Sequence, residues 1–279
     1  MSFSCPELTL PEALELVRTS GYSGFEPRID AGHKHGIETA MTKAARAEAK
    51  RMAADSGVTL CCLASSVQLA SRAKLADALD GARRAIELCA DIGIPRVRVF
   101  GGAIDEGMTR GAAIGQVAEA LDTLSGEIGD DNISLCMETH DSWCEPAHVA
   151  AVMRLTRGRH VGVNWDVMHP CLAAHADISE TFGLLRPYIR HVHIHGGTYV
   201  GGLKFLPIGS GVIDHRQALA ELMSMDYDGY LSGERAPFPR APRGPSRPSR
   251  RAPRAPRAPF PRRPSRPHAR ARGRRRAFS

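Results

Sequence analysis

The sequence predicts a (β/α)8 barrel, on the basis of a repeated unit and of the number of strands. In this unit an amphipathic helix ends at a glycine and is followed by a short apolar strand, and eight strands result if a truncated first strand at Phe3–Cys5 is counted. Strict alternation of strands and helices implies parallel strands joined by right-handed crossovers. Eight such units favour a closed barrel. A doubly wound sheet is the alternative, although no Gly-x-Gly-x-x-Gly motif follows the first strand to support dinucleotide binding.

Capping residues and apolar periodicity predict the individual elements. Thr9 and Glu12 match a capping box, which predicts a helix that runs to about Ser20. A later helix has apolar residues at four- and three-residue spacing, the pattern of one buried face. The elements that follow the first helix are the strand Gly24–Ile29, a helix over about Thr39–Ser56, the strand Thr59–Val67, a helix with Leu75, Leu79, Ala82, Ile86 and Cys89 on its buried face, the strand Arg96–Phe100, a helix over about Gly111–Ile128, and the strands Ser134–His140, Val161–His169, Arg190–His195 and Tyr230–Glu234, separated by shorter helices.

The charges are segregated along the chain. Residues 235–279 contain 16 of the 37 basic side chains and no acidic one, so the first 234 residues carry 21 basic and 30 acidic groups, a net charge of −9. This distribution excludes a uniformly basic nucleic-acid-binding fold. Eleven of the 19 prolines also lie after Glu234, where they remove backbone donors. We therefore predict a barrel over residues 1–234 and a disordered Arg/Pro-rich tail over residues 235–279.

The composition of this tail predicts that the eighth helix of the barrel is lacking or replaced. The change begins one residue after Glu234 and introduces residues with GC-rich codons, which suggests the product of a reading-frame shift. Exposing the several hundred Å² of apolar surface that an eighth helix covers costs on the order of 10 kcal/mol. Since net stabilities are about 5–15 kcal/mol, we expect a chain that is poorly stable, aggregated or dimerised through the gap.

Apolar runs, the N-terminal sequence and the cysteines indicate the cellular compartment in which the chain is expected. No apolar run is long enough for a membrane-spanning helix, and no positively charged start precedes an apolar run as in a secretory signal. The seven cysteines are odd in number and show no Cys-x-x-Cys spacing. Reduced thiols in a cytoplasmic protein are therefore the expectation, rather than disulfides or a structural zinc site.

Strand parity directs four metal-ligand residue types to one end of the predicted barrel. Glu138, Asp166, His193 and Glu234 each lie on the inward face near the carboxyl end of one of four consecutive strands, where barrel enzymes build their active sites. Three carboxylates and an imidazole suit one divalent ion, namely Mn²⁺, Mg²⁺, Co²⁺ or Zn²⁺. Carboxylates this close would repel one another without a cation, so we predict a metal site rather than interior salt bridges.

These motifs resemble a known family. METHD, NWDVMH, HVHIH and YDGYLSGE resemble, in this order, the metal-binding motifs of the xylose isomerase-like TIM-barrel superfamily of sugar isomerases and epimerases, and GYSGFEPR looks like its second strand. The resemblance implies that Glu138, Asp166, His193 and Glu234 bind one divalent cation and that His169 contacts substrate. It also implies that Glu138 and Glu234 are the catalytic acid/base pair on a sugar or sugar phosphate. His195-Gly196 stands where the family often has Lys-Asp, so the substrate could differ from that of better-known members.

Four further residues are candidate substrate contacts on weaker grounds. Glu26 and Arg28 point inward on the second strand and could bind a hydroxyl or phosphate, or could form an internal ion pair instead. His140 and His195 lie just beyond the predicted ligands, where they could orient carboxylates, bind substrate oxygens or simply pack at the rim of the barrel.

Other functions compete with the isomerase. A dehydratase of a keto-inositol type substrate would use the same metal and base to expel a hydroxyl group. An endonuclease IV-like DNA repair enzyme would need additional histidines at the ends of the third and fourth strands, which read CLASSVQ and VFGGAI. Nucleic acid is expected to bind only through the basic tail, if at all. The expected partner is therefore a small sugar or polyol, with a homo-oligomer as a further expectation.

Overall fold

The computed structural model describes residues 1–129 and 132–233, which form an α/β fold. Its α-helices are α1 (Leu10–Thr19), α2 (Lys43–Ser56), α3 (Leu75–Ile92), α4 (Arg110–Glu127), α5 (Pro146–Leu155), α6 (Met168–Ala173), α7 (Ile178–Leu185) and α8 (His215–Ser224). Its strands are β1 (Gly24–Phe25), β2 (Thr59–Leu60), β3 (Leu63–Gln68), β4 (Arg96–Phe100), β5 (Ser134–Glu138), β6 (Val161–Asp166), β7 (Ile189–Ile194), β8 (Gly196–Thr198), β9 (Lys204–Leu206) and β10 (Leu231–Gly233). The predicted tail lies outside these residues, as does Glu234.

The strands form the parallel sheet of a TIM barrel. Six of them are hydrogen-bonded in the order β10-β7-β6-β5-β4-β3, and β1 pairs in parallel with β2. Arg28 bridges Ala64 on β3, so the segment after β1 continues as the second barrel strand. The hairpin β8–β9 is antiparallel and follows β7 at the carboxyl end of the sheet. The predicted fold class is thus confirmed.

The first strand differs from the prediction. Ser2–Ser4 form a 3-10 helix, so the predicted strand Phe3–Cys5 is wrong. Strand-like contacts are made instead by the two residues before it: the Met1 amine donates to the Gly233 carbonyl at 3.0 Å, and the Ser2 amide donates to the Glu26 carbonyl at 2.8 Å. These two bonds join the last strand to the second, which closes the ring of strands.

Several predicted boundaries are confirmed by their capping geometry. The capping box of Thr9 and Glu12 is present at the start of α1. Helices α2 and α3 end at Gly57 and Gly93, whose φ angles of 70° and 87° are readily adopted only by glycine. The apolar face predicted for α3 is its buried or partly buried face.

Several predicted strands are shorter than expected. Gly24–Ile29 is a strand only over Gly24–Phe25, and Ser134–His140 is one only over Ser134–Glu138. The segment Val161–His169 leaves the sheet at Asp166, because the carboxylate of Asp166 accepts the amides of Met168 and His169 and α6 begins there. The segment Thr59–Val67 is interrupted after Leu60, between the part that pairs with β1 and the part that pairs with β4. Consequently His169 lies on a helix, not at the end of a strand.

The outward faces of the strands pack on the helices, as their apolar parity predicts. Trp165 is fully buried, and its ring lies 5.9 Å from that of Phe182 on α7. Val97, Val99 and Val163 are likewise fully buried. Within the described residues no helix is long and apolar enough to cross a membrane.

Candidate metal and substrate site

Three of the four predicted metal ligands lie together inside the barrel. Glu138, Asp166 and His193 offer ligand atoms within 4.8 Å of one another, and all three side chains are buried. They come from the carboxyl ends of β5, β6 and β7, since parallel strands bring these ends to the same side of the sheet. Glu234 follows β10 directly but lies outside the described residues, so its role stays a prediction.

Charged neighbours keep the Glu138 carboxylate ionised. His193 Nδ1 lies 2.8 Å from Glu138 Oε1, and Arg98 Nε lies 3.3 Å from Glu138 Oε2. Burial would raise the pKa of Glu138, but the charges of His193 and Arg98 lower this pKa to about 2. Burial would likewise lower the pKa of His193, yet Glu26 and Glu138 hold it well above its ordinary value. His193 and Glu138 therefore form a buried ion pair at the centre of the site.

Asp166 connects the predicted metal site to the backbone of α6. Its Oδ1 accepts the amides of Met168 at 2.8 Å and His169 at 2.9 Å, and its Oδ2 lies 2.6 Å from His195 Nε2. Burial would raise the pKa of Asp166, but the charges of His195 and His169 lower it. Both oxygens are thus oriented before any ligand binds.

Glu26 lies beneath the predicted ligands and bonds to histidines, not to Arg28. Its two oxygens lie 3.0 Å from His191 Nε2 and 3.0 Å from His193 Nε2, and Ser232 Oγ donates to it. Burial would raise the pKa of Glu26, whereas the charges of His193 and His191 hold it well below its ordinary value. The Arg28 guanidinium faces the ring of Phe3, at 5.9 Å. Substrate binding by Glu26 and Arg28 stays a prediction.

Three further predicted histidines form a row at the carboxyl end of the barrel. The ring centroids of His140 and His169 are 4.1 Å apart, and those of His169 and His195 are 5.6 Å apart. Phe205, on the hairpin strand β9, stacks on His195 at 5.4 Å. His140, with a side chain that is 29% exposed, lies nearest to solvent. The structure therefore brings these three candidates together, while contact with substrate remains a prediction for each.

Sequence reasoning missed Arg98 and Ser232 and gave no role to Asn164. Arg98 is the inward residue of the strand RVRVF, whose neighbours Val97 and Val99 pack outward, so strand parity could have found it. Ser232 shares the inward strand parity of Glu234, but a serine at this position does not by itself indicate a role in the site. Its role depends on the approach of β10 to Glu26, which only the closed barrel produces.

The donor atoms present fit a divalent cation. Two ionised carboxylates and an imidazole are ligands that Mg²⁺, Mn²⁺, Co²⁺ and Zn²⁺ accept. The second ring nitrogen of His193 faces the Glu26 carboxylate, an arrangement that metal-binding histidines commonly show. Two other groups of three donors also meet the distance criterion for a metal ion: Asp166, His169 and His195, and, deeper in the barrel, Glu26, Cys62 and His191.

The family model for the xylose isomerase-like TIM barrel matches residues 14–251, and the chain belongs to this family. No curated protein matches the sequence.

Among solved structures the fold is similar to that of the probable 3-DHS dehydratase AsbF from Bacillus anthracis, with a TM-score of 0.70, 14% identity, and coverage of 85% of this chain and 91% of that one. It is similar to the 3-keto-D-glucoside 4-epimerase YcjR from E. coli, with a TM-score of 0.66, 15% identity and coverage of 84% and 89%. A third is a xylose isomerase-like TIM-barrel protein from Mycobacterium smegmatis in complex with magnesium, with a TM-score of 0.62, 20% identity and coverage of 79% of each chain.

Proposed function

We propose that the protein is a divalent-metal-dependent isomerase or epimerase of a sugar or sugar phosphate. The observation that carries the proposal is the convergence of Glu138, Asp166 and His193 from three neighbouring strands. Two findings support this reaction class: the chain belongs to the xylose isomerase-like family, and a sugar epimerase is among the structures with a similar fold.

Glu138, Asp166 and His193 would hold the cation, with Glu234 as the fourth ligand that the sequence motifs imply. When bound, such a cation would supply Lewis acidity toward a carbonyl and the neighbouring hydroxyl group. This polarisation lowers the pKa of the hydrogen on the carbon that bears the hydroxyl. The native ion is proposed as one of Mn²⁺, Mg²⁺, Co²⁺ or Zn²⁺.

The side chains of the site would carry the proton transfer. Glu138 is ionised and buried, so it can accept the proton from the carbon next to the carbonyl, and Glu234 is the proposed partner that returns it. His169 and His195 would bind substrate oxygens, while Phe205 over His195 would exclude water from the site. Return of the proton to the opposite face of the same carbon gives an epimer. Return to the former carbonyl carbon, together with transfer of the hydroxyl proton to the former carbonyl oxygen, gives an aldose–ketose exchange.

A dehydratase is the second candidate. It begins with the same proton removal, and it needs an acid beside the departing hydroxyl group. His140 could supply this acid: burial would lower its pKa, but the Asp141 carboxylate, which lies 2.7 Å from His140 Nδ1, and the Glu138 charge raise this pKa above its ordinary value. A probable dehydratase among the similar structures also supports this candidate.

Metal analysis combined with deuterium uptake tests the proposal. The purified chain is expected to contain one divalent ion and to incorporate deuterium from D2O into one member of a panel of ketoses and keto-inositols. An isomerase leaves the molecular formula of its substrate unchanged apart from this exchange. A dehydratase removes water from its substrate and produces an ultraviolet-absorbing enone or diketone. Absence of both bound metal and deuterium uptake would contradict the proposal.

A further inference from the structure

Two buried side chains next to Glu138 have polar atoms without hydrogen-bond partners. Arg98 is 2% exposed; its Nη1 makes no hydrogen bond, and its Nε has only the ion pair with Glu138 at 3.3 Å. Asn164 is fully buried, and neither its Oδ1 nor its Nδ2 makes a hydrogen bond. A buried donor or acceptor that loses water and gains no partner costs about 1–3 kcal/mol. Such groups call for an explanation, and a ligand that satisfies them is one.

These two side chains lie on either side of the same carboxylate. Asn164 on β6 is the register partner of Glu138 on β5, and β4 on the other side of β5 carries Arg98, whose Nε lies 3.3 Å from Glu138 Oε2. Both point into the barrel, because Val97, Val99, Val163 and Trp165 occupy the outward positions. The unsatisfied groups therefore belong to the wall of the proposed metal site, not to an unrelated part of the core.

A second buried arginine shows how this chain satisfies a structural guanidinium. Arg46 is 6% exposed and donates to Glu87 at 3.0 Å, to Asp91 at 2.7 Å, and to the carbonyls of Thr39 at 2.8 Å and Met41 at 3.2 Å. Arg98 instead has one weak ion pair and lies over the ring of Phe100, with Cζ 3.9 Å from the centroid. The ring fixes the plane of the guanidinium without using its N–H groups.

We propose that Arg98 and Asn164 form a substrate-recognition subsite that selects a sugar or polyol bearing an oxyanion, either a carboxylate or a phosphate. The guanidinium is always charged and presents paired N–H groups that match such an anion. The amide of Asn164 would bind a neighbouring hydroxyl or carbonyl oxygen. The subsite would narrow the substrate class from all ketoses to anionic ones, and the inference rests on the proposed function for the position of the substrate next to Glu138.

Matched ligand pairs test this subsite in the full-length chain loaded with Mn²⁺. Calorimetric affinities are compared for D-fructose against D-fructose 6-phosphate, and for D-tagatose against D-tagaturonate. In one of the two pairs we expect the anionic member to bind at least about tenfold more tightly, because it gains one charge-assisted hydrogen bond. The pair that shows this preference identifies the anion as phosphate or as carboxylate. Equal affinities within both pairs overturn the inference.

Variants of two arginines on the same strand assign the preference to a residue. Arg98→Gln is expected to reduce the anionic-to-neutral ratio by at least about tenfold. Arg96→Gln removes the same charge at the start of β4, where Arg96 bonds to the Arg190 carbonyl, and should leave the ratio unchanged. A ratio that survives Arg98→Gln, or that falls equally in both variants, overturns the assignment. If Arg98→Gln does not fold, the more conservative Arg98→Lys, which keeps the charge without the paired donors, is measured in its place.

Deuterium uptake measured on the same samples separates this inference from the proposed function. Uptake into neutral ketoses without any anionic preference retains the isomerase and overturns the subsite. Anionic preference without uptake into any ligand retains the subsite and overturns the proton transfer.

Discussion

His193 lies between two carboxylates, and this arrangement makes it the most informative single ligand to change. We expect His193→Asn to reduce affinity for the divalent ion by at least about 100-fold, because one of the described donor atoms is lost and Glu26 loses a partner. Metal content by mass spectrometry measures the effect. His175→Asn, at an exposed position with a φ angle of 54° that asparagine tolerates, is the control. Undiminished metal binding in His193→Asn would exclude the proposed centre.

Glu26 is predicted to act on the metal through His193. Glu26→Gln keeps the size of the side chain but removes the charge that fixes the His193 ring, so we expect about 10- to 100-fold weaker metal binding. The measurement is a competition titration with a chelator, at a pH at which the chain is folded. Glu38→Gln, whose carboxylate accepts the Asp30 amide in a loop, should bind metal like the unchanged chain.

His35 predicts a loss of stability in acid. Burial and then the charge of His33 lower the pKa of His35 to about 4, from an ordinary value of 6.5, and its Nδ1 accepts the Ile37 amide at 3.0 Å. His35 binds a proton more readily in the unfolded chain than in the folded one. The contribution of neutral His35 to the free energy of unfolding is therefore complete above pH 6.5 and is lost as the pH falls toward 4. It amounts to about 2 kcal/mol between pH 6.5 and 5.

Urea unfolding at several pH values measures this contribution. The free energy of unfolding of His35→Gln is expected to depend less on pH than that of the unchanged chain, by about 2 kcal/mol over this interval. His175→Gln, at an exposed position, is expected to retain the full dependence. Equal slopes for His35→Gln and the unchanged chain would refute the assignment.

At the scale of elements, the hairpin β8–β9 is the candidate cover of the site. Phe205 on β9 contacts the ring of His195 and also lies 6.5 Å from that of Phe3. Phe205→Ala removes both contacts, so we expect faster amide exchange over residues 196–206 and a higher KM, with metal affinity unchanged. Leu203→Ala, in the same hairpin and 40% exposed, is the matched control. Unchanged exchange in Phe205→Ala would show that the ring does not hold the hairpin down.

The same scale shows what the sequence could and could not predict. Capping boxes, glycine stops and apolar parity are local signals, and they predicted the α1 start, the α2 end and the whole of β4. The end of β6 depends on the Asp166 carboxylate, which accepts the amides of Met168 and His169. The sequence of this segment looks like a continuing apolar strand, so the end could not be predicted from it. The 3-10 helix at Ser2–Ser4 was missed because the contacts that close the ring are made by Met1 and Ser2 with distant strands.

At the scale of the whole molecule, a groove lies between α1 and β10. A cavity of about 660 Å³ is lined by Leu16 and Val17 of α1 and by Tyr230 and Leu231 at β10, and Leu16 is 45% exposed. This groove gives the expected self-association a defined surface. We therefore predict that the chain dimerises or aggregates through this groove.

Light scattering after size-exclusion chromatography tests that prediction. Leu16→Glu places a charge in the groove and should increase the monomer fraction at least severalfold, together with lower binding of a hydrophobic dye. Leu155→Glu, at a 55% exposed position of α5 that does not line the groove, should change neither quantity. A chain that is already monomeric, with a sharp high-temperature melt, would contradict the prediction.

The double role of Asp166 makes the start of α6 a reporter of the ion. One carboxylate oxygen accepts the amides of Met168 and His169. The carboxylate also lies close to Glu138 and His193, the other described ligands of the proposed metal site. Any ligand that pulls this carboxylate must lengthen or shorten those two bonds. Chemical shifts of the two amides should therefore titrate with added cation, so that occupancy can be followed by NMR in a sample that contains no substrate.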